Sequence, residues 1–283
     1  MYDLVIKGAQ VADGLGNPLQ SADVAVQDGR IVEIGRIDGA AAETVDADGL
    51  VLAPGIVDVH THYDAQLTWD SNATPSPALG VTTVVVGNCG FSIAPCPPEC
   101  RDLIARNLAE VEGMSLTALR SGTNWEFESF AEYLALLKRK GVTPNVAAFI
   151  GHSAVRTMVM GEGASERAAS GDEVAEMRAL VSGGMDAGAV GFSTSTSINH
   201  NGDGGVPMPS RLAEESELRS LASVLGEKGR GVFQLTVGPS MTSEVMESIA
   251  EDNNCGVFQT AALHNEAFPE RAHKMVSDSA AAQ

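Results

Sequence analysis

The sequence is poor in aromatic residues and poorer still in positive charge. Phe, Tyr and Trp make up 5% of its 283 residues, although hydrophobic residues as a whole reach 44%. A core of that size has to be built from Ala, Val, Leu and Ile, and the length suits one large domain, or one large and one small. Only 18 basic residues face 37 acidic ones, a formal charge of −19. No basic stripe exists to neutralise phosphates, which excludes nucleic acid and anionic membrane surfaces as partners. No run approaches the ~18 apolar residues of a membrane span. Met1-Tyr2-Asp3-Leu4 has neither the basic start nor the apolar run of a secretory leader. Four cysteines in a chain this long do not read as a disulfide framework. These absences predict a cytoplasmic protein in which a cysteine is free to act as a metal ligand.

What is present divides near Pro54. Residues 1–54 are β-rich: Leu4-Val5-Ile6-Lys7 reads as a strand, and Asp28-Gly29 is a hairpin turn between the strands Asp23–Gln27 and Arg30–Ile34. Residues 55–283 alternate strand and helix, the pattern of a parallel sheet or barrel. The strands are predicted at Ile56–Val59, Val81–Val86, Asn145–Ile150, Ala189–Ser193, Gly231–Thr236 and Cys255–Thr260. Helical faces are marked by Phe130, Tyr133, Leu134 and Leu137, by Val174, Met177, Leu180 and Val181 with Asp172 as candidate cap, by Leu218, Leu221 and Leu225, and by Val245, Met246 and Ile249. Cys96-Pro97-Pro98-Glu99-Cys100 has no second Cys/His pair beside it and reads as a surface loop.

The first of these strands runs into His60-Thr61-His62. Side chains alternate along a strand, so the two imidazoles project from one face and can grip one divalent ion. Two of only six histidines stand here. Cys89, in Gly87-Asn88-Cys89-Gly90 at the end of the second strand, is a candidate thiolate ligand, against the alternative of an inert core cysteine.

Pro54-Gly55-Ile56-Val57-Asp58-Val59-His60-Thr61-His62 resembles the amidohydrolase superfamily. With Tyr63-Asp64, Gly87-Asn88-Cys89-Gly90, Gly151-His152-Ser153 and Gly191-Phe192-Ser193-Thr194, the chain looks like the branch of the N-acyl-D-amino-acid deacylases, the D-aminoacylases. The resemblance implies a distorted (β/α)8 TIM-type barrel with a small N-terminal β-sandwich segment. Six strands are found where such a barrel has eight, so an incomplete barrel is expected. It implies His60, His62 and Cys89 as ligands of zinc, one or two divalent ions, with Cys89 in place of the carboxylated lysine of many relatives. None of the five lysines stands at the end of a barrel strand. It further implies hydrolysis of the linear amide of an N-acyl-D-amino acid to a carboxylate and a D-amino acid. The alternatives are a cyclic-amide or imide hydrolase of the dihydropyrimidinase kind, or a non-catalytic fragment or subunit of a split amidohydrolase whose last strands a second chain supplies.

The chain departs from the superfamily at three places. Strand five ends Gln234-Leu235-Thr236 without a histidine, strand six reaches only the late His264, and the aspartate of strand eight has no counterpart. Glu112, either a carboxylate ligand or a loop charge, and His152, which points toward the mouth as a substrate contact or a loop brace, are the candidate catalytic groups. Arg156 and Arg211 are candidates to hold a substrate carboxylate, and Asp64 to brace an imidazole or cap a helix.

Overall fold

The computed structural model describes residues 1–281. Its contacts divide the chain between Ile56 and Val57. The first unit is one sheet centred on β1 (Tyr2–Val11), which is antiparallel to β2 (Gln20–Gln27) and parallel to β4 (Ala41–Asp46) and the short β5 (Val51–Leu52). The outer strand β3 (Arg30–Gly35) pairs with β2. Between them Asp28 and Gly29 take φ of 52° and 69°, the left-handed pair that a tight hairpin needs. The core of this unit is small: Val5, Ala25 and Ile37, with Tyr2 and Ala41 packed on it.

The second unit is a parallel sheet of six strands whose spatial order is their sequence order: β6 (Ile56–Asp58), β7 (Val81–Val86), β8 (Asn145–Gly151), β9 (Gly191–Ser195), β10 (Val232–Thr236) and β11 (Gly256–Thr260). Each of β6 and β11 pairs on one side only among the described residues. This is the succession of an incomplete (β/α)8 barrel. The helices are α1 (Arg101–Val111), α2 (Leu116–Gly122), α3 (Phe130–Lys140), α4 (His152–Met160), α5 (Gly171–Ala187), α6 (Glu215–Lys228), α7 (Ser243–Asn253) and α8 (Glu270–Ala281). None of them is long and apolar enough to cross a membrane.

Several local readings shift. The fourth barrel strand starts at Gly191, not Ala189, because Ala189 closes α5: its N–H bonds Gly184 O after the left-handed Gly188. The cap of α5 is Ser170, not Asp172; Ser170 accepts the Glu173 N–H and Glu173 reaches back to the Ser170 N–H. Cys96 and Cys100 are buried rather than in a surface loop. Cys96 N–H bonds Glu128 O and Cys100 Sγ bonds Thr157 O, which seats the start of α1 in the core. Helix α4 follows β8 without an intervening loop, so Gly151-His152-Ser153 is a strand-to-helix junction.

The core lies between strands and helices, with Phe192 stacked on Phe233 at 5.9 Å and Ile150, Val84 and Leu221 fully enclosed. Inside it sits a charged network. Arg156 on α4 has no exposed surface, and its Nη1 lies 2.6 and 2.5 Å from the two carboxylate oxygens of Glu217 on α6. His152 Nε2 is 2.8 Å from the same carboxylate, and its Nδ1 is 2.8 Å from Thr194 Oγ1 on β9. Burial pushes the Glu217 carboxyl up, but the bonds from His152 and Arg156 outweigh it and leave it below its ordinary value. The network therefore ties α4, α6 and β9 together. Glu217→Ala strands the Arg156 guanidinium in the core, and a loss of about 3–5 kcal/mol is expected in guanidinium unfolding. A loss below ~1 kcal/mol would show that the network holds nothing.

Candidate metal centre

Three side chains converge where β6 and β7 end. Thr61 is pinned to β7 by two bonds to Val85 O, from its N–H at 3.0 Å and its hydroxyl at 2.7 Å. That keeps the segment extended, so His60 and His62 project to one side with their Nε2 atoms 3.3 Å apart. Cys89 reaches them from the turn after β7. Gly87, Cys89 and Gly90 all take positive φ, of 77°, 58° and 78°. A Cβ on Gly87 would stand 2.3 Å from Phe149 O, so this position needs glycine for space as well as for conformation. Cys89 itself pays the strain of a left-handed non-glycine residue, a cost tolerated where the geometry serves a site.

The sulfur lies 3.2 Å from His60 Nε2 and 3.8 Å from His62 Nε2, and the three donors fall within 4.8 Å of one another. A tetrahedral ion with Zn–N bonds of about 2.0–2.1 Å and Zn–S of about 2.3 Å holds its nitrogens ~3.3 Å apart and nitrogen from sulfur ~3.6 Å. The donor set fits a zinc-class ion in type and in spacing.

Protonation fits as well. Burial, with His60 and His200 nearby, lowers His62 to about 4, and burial lowers His60 too, so both imidazoles are neutral and ready to bind at pH 7. Burial pushes the Cys89 thiol up to about 12, opposed by the Thr236 hydroxyl and reinforced by Glu112 and Asp64. Without a cation it stays a thiol.

Glu112 is the residue just past α1, with Oε1 3.6 Å from His62 Nε2. A carboxylate at a helix C-terminus faces the negative end of the dipole, and burial raises Glu112 to about 7. Asp64 was expected to brace an imidazole or cap a helix; instead its carboxylate accepts the Gly87 N–H at 3.0 Å, and its carbonyl accepts the Tyr133 hydroxyl at 3.0 Å. It supports the Cys89 turn, and burial raises it to about 7.

The other candidates lie elsewhere. His152 and Arg156 are enclosed in the Glu217 network, which leaves Arg156 no surface to offer a substrate. Arg211 Nη1 bonds His200 O at 3.1 Å and Asn201 Oδ1 at 2.5 Å, holding the loop after β9. His264 is exposed. Three residues that the sequence did not single out as site candidates stand at the site. His200 has Nδ1 2.7 Å from Ser195 Oγ and its ring edge-on to Phe91. Gln234 and Thr260 bond the ligand candidates themselves. The available signal was Gln234, a polar residue facing inward in an apolar strand. A cavity of about 640 Å³ opens beside them, lined among others by Thr236, Met241, Thr260, Arg271 and Lys274.

Fold and site meet in one class, and comparison with known proteins agrees. The family model described as "Amidohydrolase family" matches residues 43–271. The chain belongs to the amidohydrolase family. Among its relatives, a D-aminoacylase of Alcaligenes xylosoxydans xylosoxydans is 41% identical over 198 residues, 68% of this chain and 37% of the relative. An N-acyl-D-aspartate deacylase of the same organism is 38% identical, over 69% of this chain and 36% of the relative. Among solved structures, a D-aminoacylase superposes with a TM-score of 0.81 at 28% identity, covering 100% of this chain and 56% of that one. An N-acyl-D-glutamate deacylase from Bordetella bronchiseptica, complexed with zinc and a phosphonate mimic of the tetrahedral intermediate, gives 0.75 at 28%, covering 99% and 56%. The chain thus spans well under half the length of these curated relatives and little more than half of the solved chains.

The two raised carboxyls carry a testable cost. Both bind protons more tightly in the fold than in the unfolded chain, so the metal-free protein loses stability as pH rises from about 4 to about 7. Glu112→Gln removes its share of that loss. By calorimetry, the metal-free variant is expected to melt several degrees above the parent at pH 8 and together with it at pH 4. A variant melting below the parent at pH 8 would contradict the burial of an ionised Glu112.

Proposed function

We propose that this chain carries the metal-binding part of a zinc-dependent hydrolase that cleaves N-acyl-D-amino acids to a carboxylate and a D-amino acid. The observation that carries the reading is the convergence of two Nε2 atoms and one Sγ at the strand ends, where barrel enzymes keep their chemistry. His60, His62 and Cys89 hold the ion. When bound, zinc supplies Lewis acidity for the scissile carbonyl and acidifies water. Glu112, beside the three donors and matched to neutral pH, takes the proton from attacking water and returns it to the leaving amine. The names of the relatives support the D-amino acid as product. The absence of any lysine at a barrel strand end argues against a cyclic-imide hydrolase of the dihydropyrimidinase type, which the sequence alone left open.

Among the described residues β6 and β11 each pair on one side only, which supports a further element of this reading: a polypeptide segment outside the described residues supplies strands that close the sheet. The metal-loaded 283-residue chain, assayed alone on matched N-acyl-D- and N-acyl-L-amino acids, is expected to turn over at least ~10²-fold more slowly than an intact deacylase. The residual turnover should prefer the D series and vanish in Cys89→Ser. Equal rates on both enantiomers, or faster cleavage of cyclic imides, would overturn the substrate assignment.

Proton release tests the ligand assignment. At pH 8 the imidazoles are neutral and the carboxyls near 7 are largely ionised. Zinc binding should then release close to one proton, from Cys89, and the number should rise as pH falls below 7. Titration calorimetry in buffers of different ionisation enthalpy reads this directly. Cys89→Ser should lose most of the affinity and the released proton; full affinity in that variant would remove Cys89 from the ligand set.

A further inference from the structure

Gln234 sits in the middle of β10 with no exposed surface. A primary amide enclosed in this way is costly unless both its ends find partners. Both do. Oε1 accepts the backbone N–H of Cys89 at 2.7 Å, and Nε2 donates to Thr260 Oγ1 on β11 at 3.0 Å. The amide's orientation is not free, since the Cys89 N–H can only donate and Oε1 must face it. Thr260 Oγ1 in turn lies 3.2 Å from His60 Nδ1.

We infer that Gln234 and Thr260 form one strut that positions two of the three metal ligands, Cys89 through its backbone and His60 through the far side of its ring. The inference rests on the reading of His60, His62 and Cys89 as ligands. The strut runs from β10 to the turn after β7, and through β11 to His60 in the segment after β6. It therefore sets the separation of Cys89 Sγ and His60 Nε2, 3.2 Å, from outside the cluster. At Cys89 it holds a backbone N–H on a residue with φ of 58°, a conformation that needs support from its surroundings. At His60 it supplies a hydroxyl that can accept from Nδ1–H, and that tautomer is the one that leaves Nε2 bare for a metal. Glutamine suits this place better than a carboxylate: it offers the acceptor that Cys89 requires and a donor for Thr260, with no buried charge.

The test uses cobalt(II) as a spectroscopic substitute for zinc, with zinc affinity measured separately against a chromophoric chelator. In the parent, cobalt is expected to give a thiolate-to-metal charge-transfer band and tetrahedral d–d bands. Gln234→Met preserves volume and removes both bonds; it should weaken zinc binding about 10–100-fold and shift the d–d bands. Thr260→Val, at the half-buried end of the strut, removes the bonds to His60 and to Gln234 Nε2 and should do the same, and Thr260→Ser should restore parent behaviour. The double variant should be little worse than the worse single one, because the two residues act as a unit. Folding is checked by circular dichroism, and Thr260→Val carries the test if Gln234→Met does not fold. A parent charge-transfer band together with unchanged affinity and spectra in both single variants would overturn the strut and leave the metal site standing. No thiolate band in the parent would overturn the ligand reading, and the strut with it.

Discussion

The turn Gly87–Gly90 is the constraint on which the site depends. It brings a cysteine from the end of β7 across to the two histidines after β6, and it can do so only with backbone in the left-handed region at three of four positions. Every neighbour answers that strain. Asp64 accepts the Gly87 N–H, Gln234 accepts the Cys89 N–H, and Ser193 Oγ accepts the Gly90 N–H at 3.1 Å while its own hydroxyl bonds Gly87 O. A loop with four such bonds, two from β9, one from β10 and one from the segment after β6, presents the sulfur rigidly.

The electrostatics follow from enclosure. Burial raises Cys89, Asp64 and Glu112 and lowers His60 and His62, so these five groups are pushed toward their neutral forms. Such a site is destabilised as long as it holds negative charge alone and is relieved by a cation. The His152–Glu217–Arg156 network solves the same problem differently: the Arg156 and Glu217 charges cancel internally, and the network ties α4, α6 and β9 together. The two buried clusters thus differ in whether a counter-charge is already present.

Much of this was legible in the chain. The apolar run before His60-Thr61-His62, the β-branched run Val81–Val86 and the glycines around Cys89 identified the strands and the three ligand candidates, because period-two alternation and glycine punctuation are local signals. The supporting shell was not legible. Gln234 and Thr260 touch residues 145 and 200 positions away in sequence, and no local pattern announces such pairings. Arg156 shows the converse: an arginine next to a strand end looked like a substrate contact, but its partner Glu217 lies 61 residues on. Asp64, expected to brace an imidazole or cap a helix, has a backbone N–H as the partner of its carboxylate.

The central claim is that one thiolate and two imidazoles share a metal ion. X-ray absorption at the zinc edge of the loaded protein measures this most directly. The expected first shell contains one sulfur at about 2.3 Å and nitrogen or oxygen neighbours at about 2.0–2.1 Å, with the outer scattering of two imidazole rings. A shell of nitrogen and oxygen alone, with no sulfur, would contradict it.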